Sequence, residues 1–78
     1  MPRTLRTSRH EALRKLLIQK RKEAGITQEG LTQLLDTYRT YVTYIERGQR
    51  RVDVIEFLEL ADALGFDPAE AIKHIHSK

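Results

Sequence analysis

Helix punctuation constrains this 78-residue chain more than any other feature. Thr27, Asp53 and the pair Asp67-Pro68 are start signals standing just ahead of apolar runs. Gly25, Gly48 and Gly65 stand just past the ends of three runs, where a left-handed C′ residue closes a helix. Ser8, with Glu11 three residues on, reads as a capping box. Five helices follow from this pattern. The first runs from Ser8 to about Ala24 with Leu13, Leu16 and Leu17 on one stripe, and the second starts after Thr27 with Leu31 and Leu34 or Leu35 inward. The third runs from Tyr38 or Arg39 to Arg47. The fourth starts after Asp53 with Val54, Phe57, Leu58, Ala61 and Leu64. The fifth carries Ala71, Ile72 and Ile75. The predicted class is all-α, in one compact domain over 9–76, behind a basic arm over 1–8.

The stretch TYRTYVTYIERG, residues 37–48, is unusual for a core helix. Its only aliphatic residues are Val42 and Ile45, three apart, among tyrosines, threonines and Arg39. A helix that merely filled a core would show a wider apolar stripe. Tyr38, Thr40 and Val42 mimic the period of a strand, but the bracketing turn at Asp36-Thr37 and the stop at Gly48 favour a helix. Two short helices joined by that turn form a helix-turn-helix over 27–47. Its second helix rests on a narrow edge and offers its remaining surface to a duplex.

Charge placement agrees with a polyanion partner. Residues 1–25 hold eight Lys/Arg against two Glu, whereas residues 26–78 hold six Lys/Arg against nine Asp/Glu. Such a bipolar chain orients itself on DNA or RNA. No cysteine is present, which excludes a disulfide framework and Cys-ligated zinc. No apolar run approaches the roughly 20 residues of a membrane span. With no visible leader either, an intracellular, cytoplasmic protein is expected. His74 and His76 lie two apart and His10 is distant, a poor pattern for a metal. No nucleophile–base set, paired acid or Gly-rich phosphate loop suggests an enzyme or a cofactor.

The segment TQEGLTQLLDTYRTYVTYIERG, with RKEAGITQ before it and FLELADALGFDP after it, resembles the Xre/Cro/phage-repressor family of small regulators. The likeness spans roughly residues 12–72. It implies a lambda repressor-like fold and sequence-specific binding of double-stranded DNA. Asp36 departs from the usual glycine of the turn, Thr32 from the usual alanine, and Gly30 from an exposed helix former.

Carried over position by position, the resemblance makes Gln28 a phosphate contact, where free amides and the helix dipole attract an anion. It puts Arg39, Thr40, Thr43 and Tyr44 toward the groove. Arg39 has the fork that chelates guanine O6 and N7. Arg50 and Arg51 fall where relatives place basic residues on phosphates, two consecutive arginines pointing different ways. Tyr41 is read as a brace. Arg3, Arg6 and Arg9 are either an arm in an adjacent groove or inert. Arg21 and Glu46 correspond to a structural ion pair tying the first helix to the end of the third. Family members usually bind as homodimers to two-fold sites, and Phe66, Ile72 and Ile75 are the expected interface. The competing expectation is a protein-interaction module on the same fold, such as an antitoxin masking a toxin or an adaptor. An RNA binder is a weaker third, lacking an open aromatic platform.

Overall fold

The computed structural model describes residues 7–78. The arm residues Arg3 and Arg6 lie outside that range. Five helices follow in order: α1 (Ser8–Glu23), α2 (Gln28–Leu35), α3 (Tyr41–Glu46), α4 (Val54–Leu64) and α5 (Pro68–His76). Among the described residues there is no strand, and no helix is long and apolar enough to cross a membrane.

Most ends follow the sequence signals. The Thr27 hydroxyl accepts from the Gly30 amide at 2.9 Å. Asp53 and Glu56 make a reciprocal capping box, and the Asp67 carboxylate accepts from the Ala69 and Glu70 amides ahead of Pro68. Each such cap satisfies orphan amides and stabilises its helix by about 1 kcal/mol. At the first helix the cap is Thr7, not Ser8: its hydroxyl accepts from the His10 amide, and Ser8 is already helical. Glu11 is therefore not a capping partner of Ser8, and it binds Arg14 instead.

The core gathers around Leu31 and Val42, which are fully buried, with Leu16, Leu17, Tyr41, Ile45, Phe57, Leu60 and Ala71. α1 packs on α3 and α5, α2 on α3 and α4, and α4 on α5. Tertiary packing selects which of the apolar residues turn inward. Leu34 is 58% exposed, so α2 sends in Leu31 and half-buries Leu35. Val54 and Leu58 face outward, and Leu60 joins Phe57 and Ala61 on the buried edge of α4. Ile72 is also exposed, leaving Ala71 as the buried residue of α5. Each helix carries more apolar residues than one face, so spacing alone did not choose the buried set.

Two departures from the family pattern have local reasons. Asp36 takes φ 55°, ψ 52°, a left-handed C-cap that Asp tolerates better than most residues. Thr32 is 7% exposed at the α2 contact, and its hydroxyl is satisfied by donating to the Gln28 carbonyl at 2.9 Å. Gly30 is not the exposed position expected. A Cβ there would lie 3.1 Å from the Thr27 hydroxyl and 3.2 Å from Ile26 Cγ2. The usual gain of about 1 kcal/mol from alanine would be offset by pressure on the cap.

Candidate nucleic-acid interface

The third helix is shorter than its sequence suggested. Residues 37–40 are a turn, Tyr41 donating its amide to the Tyr38 carbonyl at 3.1 Å, and regular helix begins at Tyr41. Tyr38 packs edge-on against Tyr41, ring centroids 5.5 Å apart, which holds the turn compact. Tyr41, Val42, Ile45 and Glu46 form the buried side. The other side follows from helical spacing: Thr40, Thr43 or Tyr44, and Arg47 share a face. Tyr44 and Arg47 are exposed and Thr40 and Thr43 are half-exposed, with Arg39 exposed just ahead of them. Arg47 belongs to this stripe although the sequence reading passed over it. Counting four and seven residues on from Thr40 would have found it.

The back of α3 is anchored at its C-terminal end by α1. Arg21 Nε donates to Glu46 Oε2 at 2.7 Å and Arg21 Nη2 donates to Oε1 at 3.1 Å, a two-pronged pair with both side chains largely buried. Arg14, two helical turns earlier on α1, donates from Nη1 to the Glu46 carbonyl at 3.0 Å. A guanidinium there meets both an orphan carbonyl and the negative dipole end. The expected structural role of Arg21 and Glu46 matches this geometry.

Gln28 sits on the first turn of α2, but its amide is engaged. Its Nε2 donates to Glu46 Oε1 at 2.8 Å, and its Oε1 accepts from the Thr43 hydroxyl at 3.3 Å. The ion pair, the start of α2 and the exposed face of α3 thus form one hydrogen-bonded set. Each member limits the rotamers of the next.

Of the two loop arginines, Arg51 is exposed and has no ion pair among the described residues. Arg50 is bound by Glu56 of α4 through Nη1 at 3.0 Å and Nη2 at 2.8 Å. Its guanidinium also stacks over Tyr41, 4.7 Å from the ring centroid. The bond to Glu56 strengthens the protonated form of Arg50, and in return holds the Glu56 carboxyl below the usual carboxylate range. Burial pushes the Tyr41 phenol up to about 12, with Glu56 adding to the rise. Tyr41 is 6% exposed, which fits its reading as a brace.

Of the expected interface residues, Phe66 closes the monomer core. It packs on Phe57 with centroids 5.7 Å apart and carries Lys20 over its ring. Ile72 and the half-buried Ile75 instead line an apolar groove with Val54, Phe57 and Leu58, and the exposed Ile55 stands on the same helix as its α4 wall. Arg9 lies away from α3, donating to the His76 carbonyl at 3.0 Å.

Known proteins resolve the lineage. A family model described as a helix-turn-helix domain matches residues 3–71. A solved structure, an XRE-family like protein from Pseudomonas syringae pv. tomato, superposes with a TM-score of 0.85 at 34% identity, covering 99% of this chain and 96% of that one. The chain belongs to the Xre-type helix-turn-helix family. This Xre-type chain is also 40% identical over 55 residues to the uncharacterized HTH-type transcriptional regulator YqaF of Bacillus subtilis, covering 70% of this chain and 72% of that protein. It is 38% identical over 52 residues to the uncharacterized HTH-type transcriptional regulator y4dJ of Sinorhizobium fredii, covering 67% and 68%. In this Xre-type domain α2 and α3 are the helix-turn-helix, and the chain is a DNA-binding regulator of that type.

Proposed function

We propose that this chain is a sequence-specific, double-stranded DNA-binding transcriptional regulator. It acts as a repressor by occupying a two-fold operator as a homodimer. The observation that carries the reading is the exposed polar face of α3, with Arg39, Thr40, Tyr44 and Arg47 outside and Val42 and Ile45 buried behind it. A rod held on one edge is what entry into a major groove about 12 Å wide requires. Arg39 reads a guanine through its fork. Thr40, Thr43 and Tyr44 meet base edges or thymine methyls, and Arg47 and Arg51 meet phosphates. At the start of α2 the main-chain amides of Gln28 and Glu29, which have no helical partners, close on the DNA backbone while the Gln28 side chain stays on Glu46.

A monomer reads too few base pairs for useful discrimination, and a two-fold dimer doubles the site. The exposed apolar side chains Val54, Ile55, Leu58 and Ile72 favour a self-complementary contact across α4 and α5. The deciding experiment is selection from random duplex DNA with the pure protein. A palindromic consensus supports the regulator. Recovery of no preferred site, even at low salt, refutes it. That result would favour the interaction-module reading, for which Leu34, 58% exposed on α2, is the observation in favour.

A further inference from the structure

α3 is held at both ends, and by different elements. Its C-terminal end is gripped from α1 by Arg14 and Arg21. Its N-terminal end has no side-chain cap: Thr40 makes no capping hydrogen bond. What meets that end is Tyr41, the first helical residue, enclosed between the edge of Tyr38 and the guanidinium of Arg50. Arg50 is itself fixed by the two oxygens of Glu56 and donates to the Arg51 carbonyl at 2.8 Å. Glu56 also accepts from the Asp53 amide at 3.0 Å, inside the α4 capping box. The chain of contacts Tyr38–Tyr41–Arg50–Glu56–Asp53 therefore links the helix-turn-helix turn to the start of α4.

We infer that Arg50 is a positioning residue and not a phosphate contact: clamped by Glu56, it sets the pitch at which the first turn of α3 meets DNA, and so sets sequence discrimination. The inference rests on the regulator reading for its DNA consequence, and on geometry alone for the clamp. Two features argue for it. Three of the five guanidinium N–H groups are already engaged, two by Glu56 and one by the Arg51 carbonyl, and Glu56 offsets the charge that would attract a phosphate. The arrangement also needs arginine, since a guanidinium 4.7 Å above the Tyr41 ring can still hold both Glu56 oxygens and a single ammonium cannot. Its neighbour Arg51 remains available for the backbone, so the loop loses no phosphate anchor by this assignment.

The test compares Arg50→Gln, Arg50→Lys and Glu56→Gln with the wild-type chain on the duplex recovered by selection and on a scrambled duplex, over a range of salt. The clamp predicts that Arg50→Gln weakens binding to the selected duplex about tenfold, because a loosened reading head loses its base contacts. The scrambled duplex should bind nearly as before, and the slope of log affinity against log salt should stay unchanged. A phosphate contact predicts the opposite: equal weakening on both duplexes and a slope lower by about one. Glu56→Gln is the sharper case. Removing a negative charge should tighten binding by simple attraction, whereas the clamp predicts the same loss of discrimination as Arg50→Gln. Arg50→Lys keeps the charge and should not rescue. A Glu56→Gln chain that binds the selected duplex as well as wild type, or better, overturns the inference.

The free protein supplies an independent readout. With Arg50 over the Tyr41 ring, its δ-methylene and Nε–H proton resonances should be shifted upfield in NMR spectra and return to ordinary positions in Tyr41→Leu. Ordinary positions in the wild type would overturn the clamp even if every variant failed to fold. Failure of the wild-type chain to select any duplex would instead sink the regulator reading, leaving the clamp to be judged by those resonances.

Discussion

Replacing Arg21 by methionine should destabilise this domain more than any surface change. The substitution keeps the length of the aliphatic stem and deletes the guanidinium. Glu46 then keeps one side-chain donor, the Gln28 amide at 2.8 Å, where it had three. The carboxylate is 6% exposed and Arg21 12%, so water cannot simply replace the lost partner. Stranding one charge of a buried pair costs about 3–5 kcal/mol. A chain of 78 residues holds roughly 4–12 kcal/mol in total, so the loss is a large share of it. Urea unfolding followed by far-ultraviolet circular dichroism should show the loss, with Tm lower by at least about 12 °C. Glu46→Gln should be milder, near 2 kcal/mol, because Arg21 still donates to the Ile26 carbonyl at 2.9 Å and the glutamine carbonyl oxygen can still accept from it. The double variant Arg21→Met with Glu46→Leu should recover most of the Arg21→Met loss, since an apolar pair replaces the stranded charge. An Arg21→Met cost below about 1 kcal/mol would refute the reasoning, because that is the value of a solvated surface pair. So would a double variant whose loss equals the sum of the singles.

Three further outcomes are expected. Arg39→Ala should relax preference at one base position per half-site by about 1–3 kcal/mol, measured by repeating the duplex selection, and uniform weakening on every sequence would reassign it to the backbone. Tyr41 ionises in the unfolded chain near pH 10 but in the folded chain only near 12, so stability present below pH 10 should fall by up to about 2 kcal/mol as pH rises through that window. Tyr41→Phe should flatten that fall in urea midpoints taken from pH 9 to 12, and an equally steep fall would contradict the assignment. Ile72→Glu should leave a folded chain that sediments as a 9.1 kDa monomer where the wild type sediments as a dimer, and a monomeric wild type at micromolar concentration would refute the interface.

The parts legible in the sequence were those governed by local chemistry. Thr27, Asp53 and Asp67-Pro68 cap helices because a side-chain oxygen near an orphan amide is a short-range matter. Gly25, Gly48 and Gly65 take positive φ for the same kind of reason. The Arg21–Glu46 pair was reached only through family resemblance, since nothing local joins residues 25 apart. What the sequence concealed depends on tertiary contact. Tyr38 to Thr40 look helical by pattern, yet the Tyr38–Tyr41 packing holds them in the turn. Leu58 and Leu60 are equally apolar, and only the placement of α2 and α5 decides which is buried. Gln28 looked free for a phosphate, but Glu46 occupies its amide. Arg50 and Arg51 are indistinguishable as a dipeptide, and only the fold brings Glu56 onto Arg50 and leaves Arg51 exposed.

The central claim is that the outer face of α3 is the surface that meets DNA. Titration of the isotope-labelled chain with the selected duplex, followed by amide and side-chain NMR shifts, tests it directly. The account predicts the largest changes at Gln28, at residues 39–47 and at Arg51, with α5 nearly silent. Changes concentrated on Leu34 or along α4 and α5, with Arg39, Tyr44 and Arg47 unmoved, would contradict it.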